Sequence, residues 1–293
     1  MNTGRTFLCT IPTLLVVFIT VACSKKHAAS STAVSSDSLS YLSDTTGYST
    51  PLAYGGYNLV WHDEFDGRSL DTTSWQFEIG NGPGGWGNNE LEYYTNSPAN
   101  AFTANGKLVL QAQKEVKNGF SYTSGRISTK GKRAFAYGRV DIRAKLPSGK
   151  GLWPALWMLG QNIDSVGWPA CGEIDIMELL GHQPNKIYGT LHWGIDYTKH
   201  KSFGRSYSFF GSFSSQYHVY SLIWEKDAYK MMVDDQTYLS ATGAKIVPYR
   251  NPFDKPHYFI FNVAVGGNWP GSPDSTTVFP QRLIVDYIRV FQK

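Results

Sequence analysis

Three cysteines in 293 residues leave no basis for a disulfide framework. Cys9 falls inside an apolar N-terminal run and Cys23 directly follows it, so Cys171 stands alone in the rest of the chain and reads as a small buried packing residue. No His or Cys pair has the spacing of zinc ligands. The sequence also lacks a dense basic run interleaved with aromatics, and the net charge is only +4, which argues against a nucleic-acid partner. A neutral polymer would not demand a charged protein, so the charge balance is silent about one. Stretches with helical periodicity are scarce, and there is no internal repeat and no clear second domain boundary. No second long apolar segment follows the first, so membrane contact is expected only through the N-terminus.

The N-terminus carries Arg5 ahead of an apolar run from Phe7 to Ala22, with small residues before Cys23. A basic start, a short apolar stretch and a small-residue cut site describe a secretion signal, here residues 1–22. Val21-Ala22-Cys23 resembles a bacterial lipoprotein box, with Thr20 where Leu usually stands. Lipidation at Cys23 is therefore expected, on a protein exported across the inner membrane and held as an outer-membrane lipoprotein, at the cell surface or in the periplasm. Residues 23–53 are rich in Ser, Thr and Ala and read as a flexible tether. The folded domain is expected at 54–293.

With 42% hydrophobic residues and 15% aromatics, the chain can build a sizeable core and still supply aromatic platforms. Segments 107–113, 138–145, 217–224 and 283–290 alternate apolar and polar residues with period two, as half-buried strands do. Many such stretches broken by Gly, Asn and Pro predict an all-β sandwich or barrel.

The chemistry concentrates at Gly172-Glu-Ile-Asp-Ile-Met-Glu178. Residues two apart share a strand face, so a regular strand would send Glu178 into the core, opposite Glu173 and Asp175. An unpaired carboxylate is costly there. One extra residue near Met177, a β-bulge, would return Glu178 to the face of the other two. Three carboxyls on one face repel, and at least one pKa must rise. Splitting the pKa values of neighbouring carboxyls gives one site an acid and a base. A separation of about 5–5.5 Å between two of them would suit glycoside hydrolysis with retention. Taken bare, the spacing also suits a calcium site or a solvated acidic edge.

With its surroundings, this strand resembles glycoside hydrolase family 16, in its laminarinase-like branch. The matching residues are the Glu-x-Asp-x-x-Glu pattern at Glu173, Asp175 and Glu178, the stretches 85–95, 124–130, 137–147, 151–160, 263–271 and 285–290, and Gly167-Trp-Pro-Ala-Cys-Gly-Glu173. The likeness runs from about Val60 to the C-terminus. Lichenase-type and xyloglucan-acting members have one residue, not two, after the Asp, which disfavours their branch. Agar- and carrageenan-acting relatives share the longer gap.

The resemblance implies a β-jelly-roll of two antiparallel sheets with a concave substrate cleft. It implies Glu173 as nucleophile, Glu178 as general acid/base and Asp175 as the group that tunes the nucleophile. Trp157 and Trp168 would stack sugar rings, Asn88 and Arg126 would hydrogen-bond hydroxyls, and His192 would sit near Glu178. Trp269 would form a reducing-side wall, while Trp153 shares the alternation of Trp157 without an assigned role. A structural calcium would be held at Glu64, Gly106 and Asp286, with no cofactor needed for catalysis. The implied function is endo-hydrolysis of β-1,3-glucan by a monomer. The alternatives are hydrolysis of mixed-linkage β-1,3-1,4-glucan or another β-polysaccharide, and a non-catalytic glucan-binding module.

Overall fold

Period-two alternation becomes strand throughout the chain. The structure, a computed structural model, describes residues 1–4 and 36–293. In chain order its strands are β1 (Asn58–Asp63), β2 (Gln76–Phe77), β3 (Glu92–Tyr94), β4 (Ala101–Thr103), β5 (Leu108–Ala112), β6 (Tyr122–Ser124), β7 (Arg126–Ser128), β8 (Gly138–Lys145) and β9 (Leu152–Gly160). They continue with β10 (Glu173–Leu179), β11 (Lys186–Trp193), β12 (Lys201–Ser208), β13 (His218–Glu225), β14 (Ala228–Val233), β15 (Gln236–Thr242), β16 (His257–Val265) and β17 (Gln281–Gln292). Among the described residues the one α-helix is the short turn Ile163–Val166. All four segments predicted from alternation are strands.

Two antiparallel sheets result. One runs β12-β11-β10-β9-β16-β7-β2 and carries the acidic strand near its middle. The other runs β15-β14-β13-β8-β17-β5-β4, with β1 also paired to β17. A small parallel pair, β3 with β6, is added to them. Side chains from the facing sides of the two large sheets form one core: Leu156, Met158 and Ile174 from the first meet Ile142, Leu222 and Ile288 from the second. Each such fully buried aliphatic side chain stabilises the fold by about 1.5–3 kcal/mol.

Alternation then decides what faces the other way. On β9, Leu156 and Met158 are buried, so Trp153, Ala155, Trp157 and Leu159 face the cleft. On β10 the register slips against both neighbours, between Asp175 and Met177 on the β9 side and between Asp175 and Glu178 on the β11 side. This is the expected bulge. Ile176 and Met177 both enter the core, and Glu178 returns to the cleft face.

The N-terminal boundary needs correction. Residues 39–53, assigned to the tether by composition, include a stretch packed on the sandwich. Leu42 is buried with Val109, Tyr217 and Ile284. The Arg143 guanidinium donates to the carbonyl oxygens of Thr45, Gly47 and Tyr48. Gly47 lies against Tyr217 so closely that a Cβ there would sit 2.0 Å from the Tyr217 carbonyl oxygen. Polar composition concealed this because backbone pairing and one arginine do the anchoring. The expected signal segment beyond residue 4 and the expected lipid site Cys23 lie outside the described residues. Among the described residues no helix is long and apolar enough to cross a membrane.

Candidate active site

The cleft encloses about 850 Å³ over the first sheet. Glu173, Asp175, Glu178, Asn88, Arg126, Trp157, Trp168 and His192 all line it, as do Trp153 and Trp269. Residues from strands β7, β9 and β11 and from three loops are thus gathered around the acidic strand β10.

The two glutamates are each held by a different tryptophan. The Trp168 indole N–H donates to Glu173 Oε2 at 2.9 Å. The Trp153 indole N–H donates to Glu178 Oε1 at 3.0 Å, which gives Trp153 the role that sequence left open. Asp175 is 3% exposed and Glu178 8%. Burial, and then the neighbouring Asp175, push Glu173 up to about 8. The same two causes drive Glu178 well above the usual carboxyl range. Burial alone would depress His192, but the hydrogen bond and charge of Asp175, with the charges of Glu173 and Glu178, outweigh it and lift the imidazole to about 9.

His192 sits on the neighbouring strand as expected, but opposite Glu173 and not Glu178. It pairs across the strands with Glu173, and Tyr188 is the residue opposite Glu178. Its Nε2 lies 3.0 Å from Asp175 Oδ2 and 3.9 Å from Glu173 Oε1. The register of β11 against β10 fixes this, and sequence alone does not reveal that register. Glu173, Asp175 and His192 lie close enough to share a cation, within 4.8 Å. With its imidazole lifted to about 9, His192 can itself bring the positive charge, so we read the trio as an acid–base cluster.

Three aromatic groups form the walls. Beside Glu173, Trp168 packs on Tyr197 and His200, with ring centroids 5.5 and 4.7 Å apart. Beside Glu178, Trp153 meets Trp269 edge-on at 5.5 Å, and Trp269 meets Tyr188 at 4.9 Å. In the third, the Arg126 guanidinium lies 4.0 Å from the Trp86 ring centroid and 5.0 Å from that of Trp157. Arg126 also pairs with Glu78 and is 6% exposed, so it chiefly holds the two indoles in place. Trp157 donates its indole N–H to Asn262 at 2.8 Å, and Asn262 donates to the Tyr94 hydroxyl at 3.1 Å. Asn88 sits in the tight turn Gly85–Asn89, and its carbonyl accepts the Asn268 N–H at 2.8 Å, which ties this turn to the loop carrying Trp269.

Sequence reasoning missed Trp86, Glu78, Tyr197, His200 and Asn262. Asn262 had a signal, since it is the one amide in the otherwise apolar run of β16. Cys171 is free and buried, as read from sequence.

At the expected calcium residues, the two side-chain carboxylates already have cationic partners. Arg289 grips both Glu64 oxygens, at 2.8 and 2.7 Å. Asp286 is paired on one oxygen with Lys107 at 2.7 Å and on the other with Arg143 at 2.6 Å. A hard cation would have to displace these partners. Gly106, which could offer only its carbonyl oxygen, lies beside the Asp66 carboxylate.

An all-β sandwich with two indole-braced glutamates on one cleft face, Glu178 buried and Glu173 half-buried, matches the class of carbohydrate-cleaving enzymes. The sequence pattern of Glycosyl hydrolases family 16 matches residues 88–289, and the chain belongs to that family. It is 42% identical to the glucan endo-1,3-beta-glucosidase A1 of Niallia circulans over 84% of its own length. It spans 39% of the length of that relative. It is 40% identical to the beta-glucanase of Rhodothermus marinus, covering 80% of this chain and 85% of that protein. The laminarinase catalytic domain of Thermotoga maritima superposes with a TM-score of 0.76 at 49% identity, covering 81% of this chain and 98% of that one.

Proposed function

We propose that the chain is a retaining endo-hydrolase of β-1,3-glucosidic bonds in laminarin-type glucans. The observation that carries this reading is the pair Glu173 and Glu178, brought to one cleft face by the bulge and each braced by its own indole. The similar proteins named as 1,3-beta-glucosidase and laminarinase support the choice of substrate.

The environments of the two carboxyls support a division of roles. Glu173 is surrounded by groups that favour an anion: the His192 charge, the Trp168 N–H and the Arg126 charge. Burial and the Asp175 charge hold Glu178 well above the usual carboxyl range, which suits a proton donor. Glu173 therefore attacks the anomeric carbon while Glu178 gives its proton to the departing glycosidic oxygen. Glu178 then takes a proton from water. The resulting hydroxide oxygen bonds to the anomeric carbon, and the bond to Glu173 breaks. Glu178 lies on the Trp153–Trp269 side, which suits the leaving, reducing-end portion of the chain. Trp168 and Tyr197 lie on the Glu173 side, which suits the portion retained. Aromatic faces on both sides match a substrate that extends both ways, hence internal cutting.

Anchoring through lipid on Cys23 is proposed on the N-terminal pattern alone. A Cys23→Ser protein that stayed in the membrane fraction would contradict it.

Reducing-end release from laminarin, lichenan, agarose and carrageenan tests the main reading. Laminarin should be cut fastest, into oligosaccharides of several lengths, and agarose and carrageenan should resist. Laminarin left intact would overturn the proposal, and binding without cleavage would point to a glucan-binding module.

A further inference from the structure

His200 has no part in the chemistry described so far, and it precedes β12 outside the acidic strand and its hydrogen-bonded partners. Its ring nevertheless touches both arms that reach Glu173. His192 Nδ1 lies 2.8 Å from His200 Nε2, with the two imidazoles within 15° of parallel. On its other side His200 packs on Trp168 at 4.7 Å, and Trp168 donates to Glu173. His200 makes no hydrogen bond to a carboxyl of the cluster itself.

We propose, resting on the function argued above, that His200 is a positioning residue that fixes the protonation of His192 and through it the ionisation of Glu173. A hydrogen bond between the two imidazoles needs one lone pair and one N–H. His192 Nε2 lies 3.0 Å from Asp175 Oδ2, a buried carboxylate oxygen with no other partner, so a proton on that nitrogen is the one positioned to satisfy it. If His200 Nε2 supplies the lone pair, His192 Nδ1 carries a proton as well. Both His192 nitrogens then donate, and the ring is an imidazolium beside Glu173. Such a charge favours the carboxylate over the carboxylic acid.

The charges around His200 agree with this direction of donation. Burial, then the His192 charge and that of the adjacent Lys201, all depress His200, which favours its neutral form with a lone pair. Facing it are His192 from β11 and Trp168 from the loop before β10, and no carboxylate pairs with it. His200 is partly exposed, so its remaining nitrogen can exchange protons with water.

Three variants separate this role from simple packing. His200→Phe keeps an aromatic ring on Trp168 but offers no lone pair. His200→Gln offers an amide oxygen at about the same reach. His200→Ala removes both. The expected result for His200→Phe is a His192 titration, followed by imidazole ¹⁵N NMR, moved down by at least about one pH unit, a tenfold change in proton affinity. Less positive charge beside Glu173 makes that carboxyl harder to ionise. The acidic limb of kcat/KM on laminarin should therefore move to higher pH, with kcat falling on the order of tenfold and KM nearly unchanged. His200→Gln should restore the His192 titration and most of kcat. An unchanged His192 titration in both His200→Phe and His200→Ala would overturn the proposal. The NMR titration needs no substrate, so it decides the matter even if the unaltered protein leaves laminarin intact.

Discussion

The hydroxyl of Tyr238, on β15 of one sheet, donates across the core to the carbonyl oxygen of Ile176 at the bulge of β10 in the other. A bulge leaves ladder groups without their regular partners. Tyr238 supplies the missing donor from the opposite layer. Gly189 on β11 makes the room: a Cβ there would sit 2.6 Å from the Tyr238 ring. The irregularity that re-aims Glu178 is thus secured by two residues from other strands, one of them in the opposite sheet.

Tyr238→Phe should therefore affect both stability and rate. An unpaired buried carbonyl costs about 1–3 kcal/mol, so denaturant unfolding should show a loss of that size. A loosened bulge should lower kcat on laminarin with little change in KM. Unchanged kcat at reduced stability would mean that the bulge holds its shape without this hydrogen bond.

Stability should fall as pH rises. Glu173 is raised from 4.5 to about 8, so the folded state keeps a proton that the unfolded chain has lost. Its contribution is complete below about pH 4.5 and lost as pH climbs through about 8. His192, raised from 6.5 to about 9, acts in the same sense: full contribution below about 6.5, lost by about 9. Tm should decline between pH 5 and 9, and Glu173→Gln should flatten the lower part of that decline. A Tm that rises over this range would contradict the described electrostatics.

Removal of divalent cations should leave Tm unchanged, because Arg289 neutralises Glu64, and Lys107 and Arg143 neutralise Asp286. Thermal melts with and without a chelator check this. A fall on chelation, reversed by calcium, would show that oxygens other than these carboxylates hold an ion.

Displacement through Glu173 predicts that the first product formed is the β-anomer. Proton NMR of laminarin digestion, read before mutarotation, distinguishes this from inversion. An initial α-anomer would require Glu173 to activate water in place of attacking the sugar.

Much of the site was legible because it is local. Alternation placed Glu173 and Asp175 on one face, and the misfit of Glu178 called for the bulge that β10 contains. Trp157 and Trp168 were named through the family resemblance, and both line the cleft. What escaped depends on register and on distant pairing. His192 faces Glu173 because of how β11 aligns with β10. Tyr238 meets Ile176 only once two sheets have stacked. Residues 39–53 looked like linker because their attachment uses backbone carbonyls and the side chain of Arg143, 90 or more residues away.

The central claim is that Glu173 and Glu178 together cleave β-1,3-glucan. Reducing-end release from laminarin by the unaltered protein, Glu173→Gln and Glu178→Gln, each confirmed folded by its melt, tests it most directly. The account predicts brisk release by the unaltered protein and a loss of at least about 10³-fold in each variant. Either variant retaining near-normal release would contradict it.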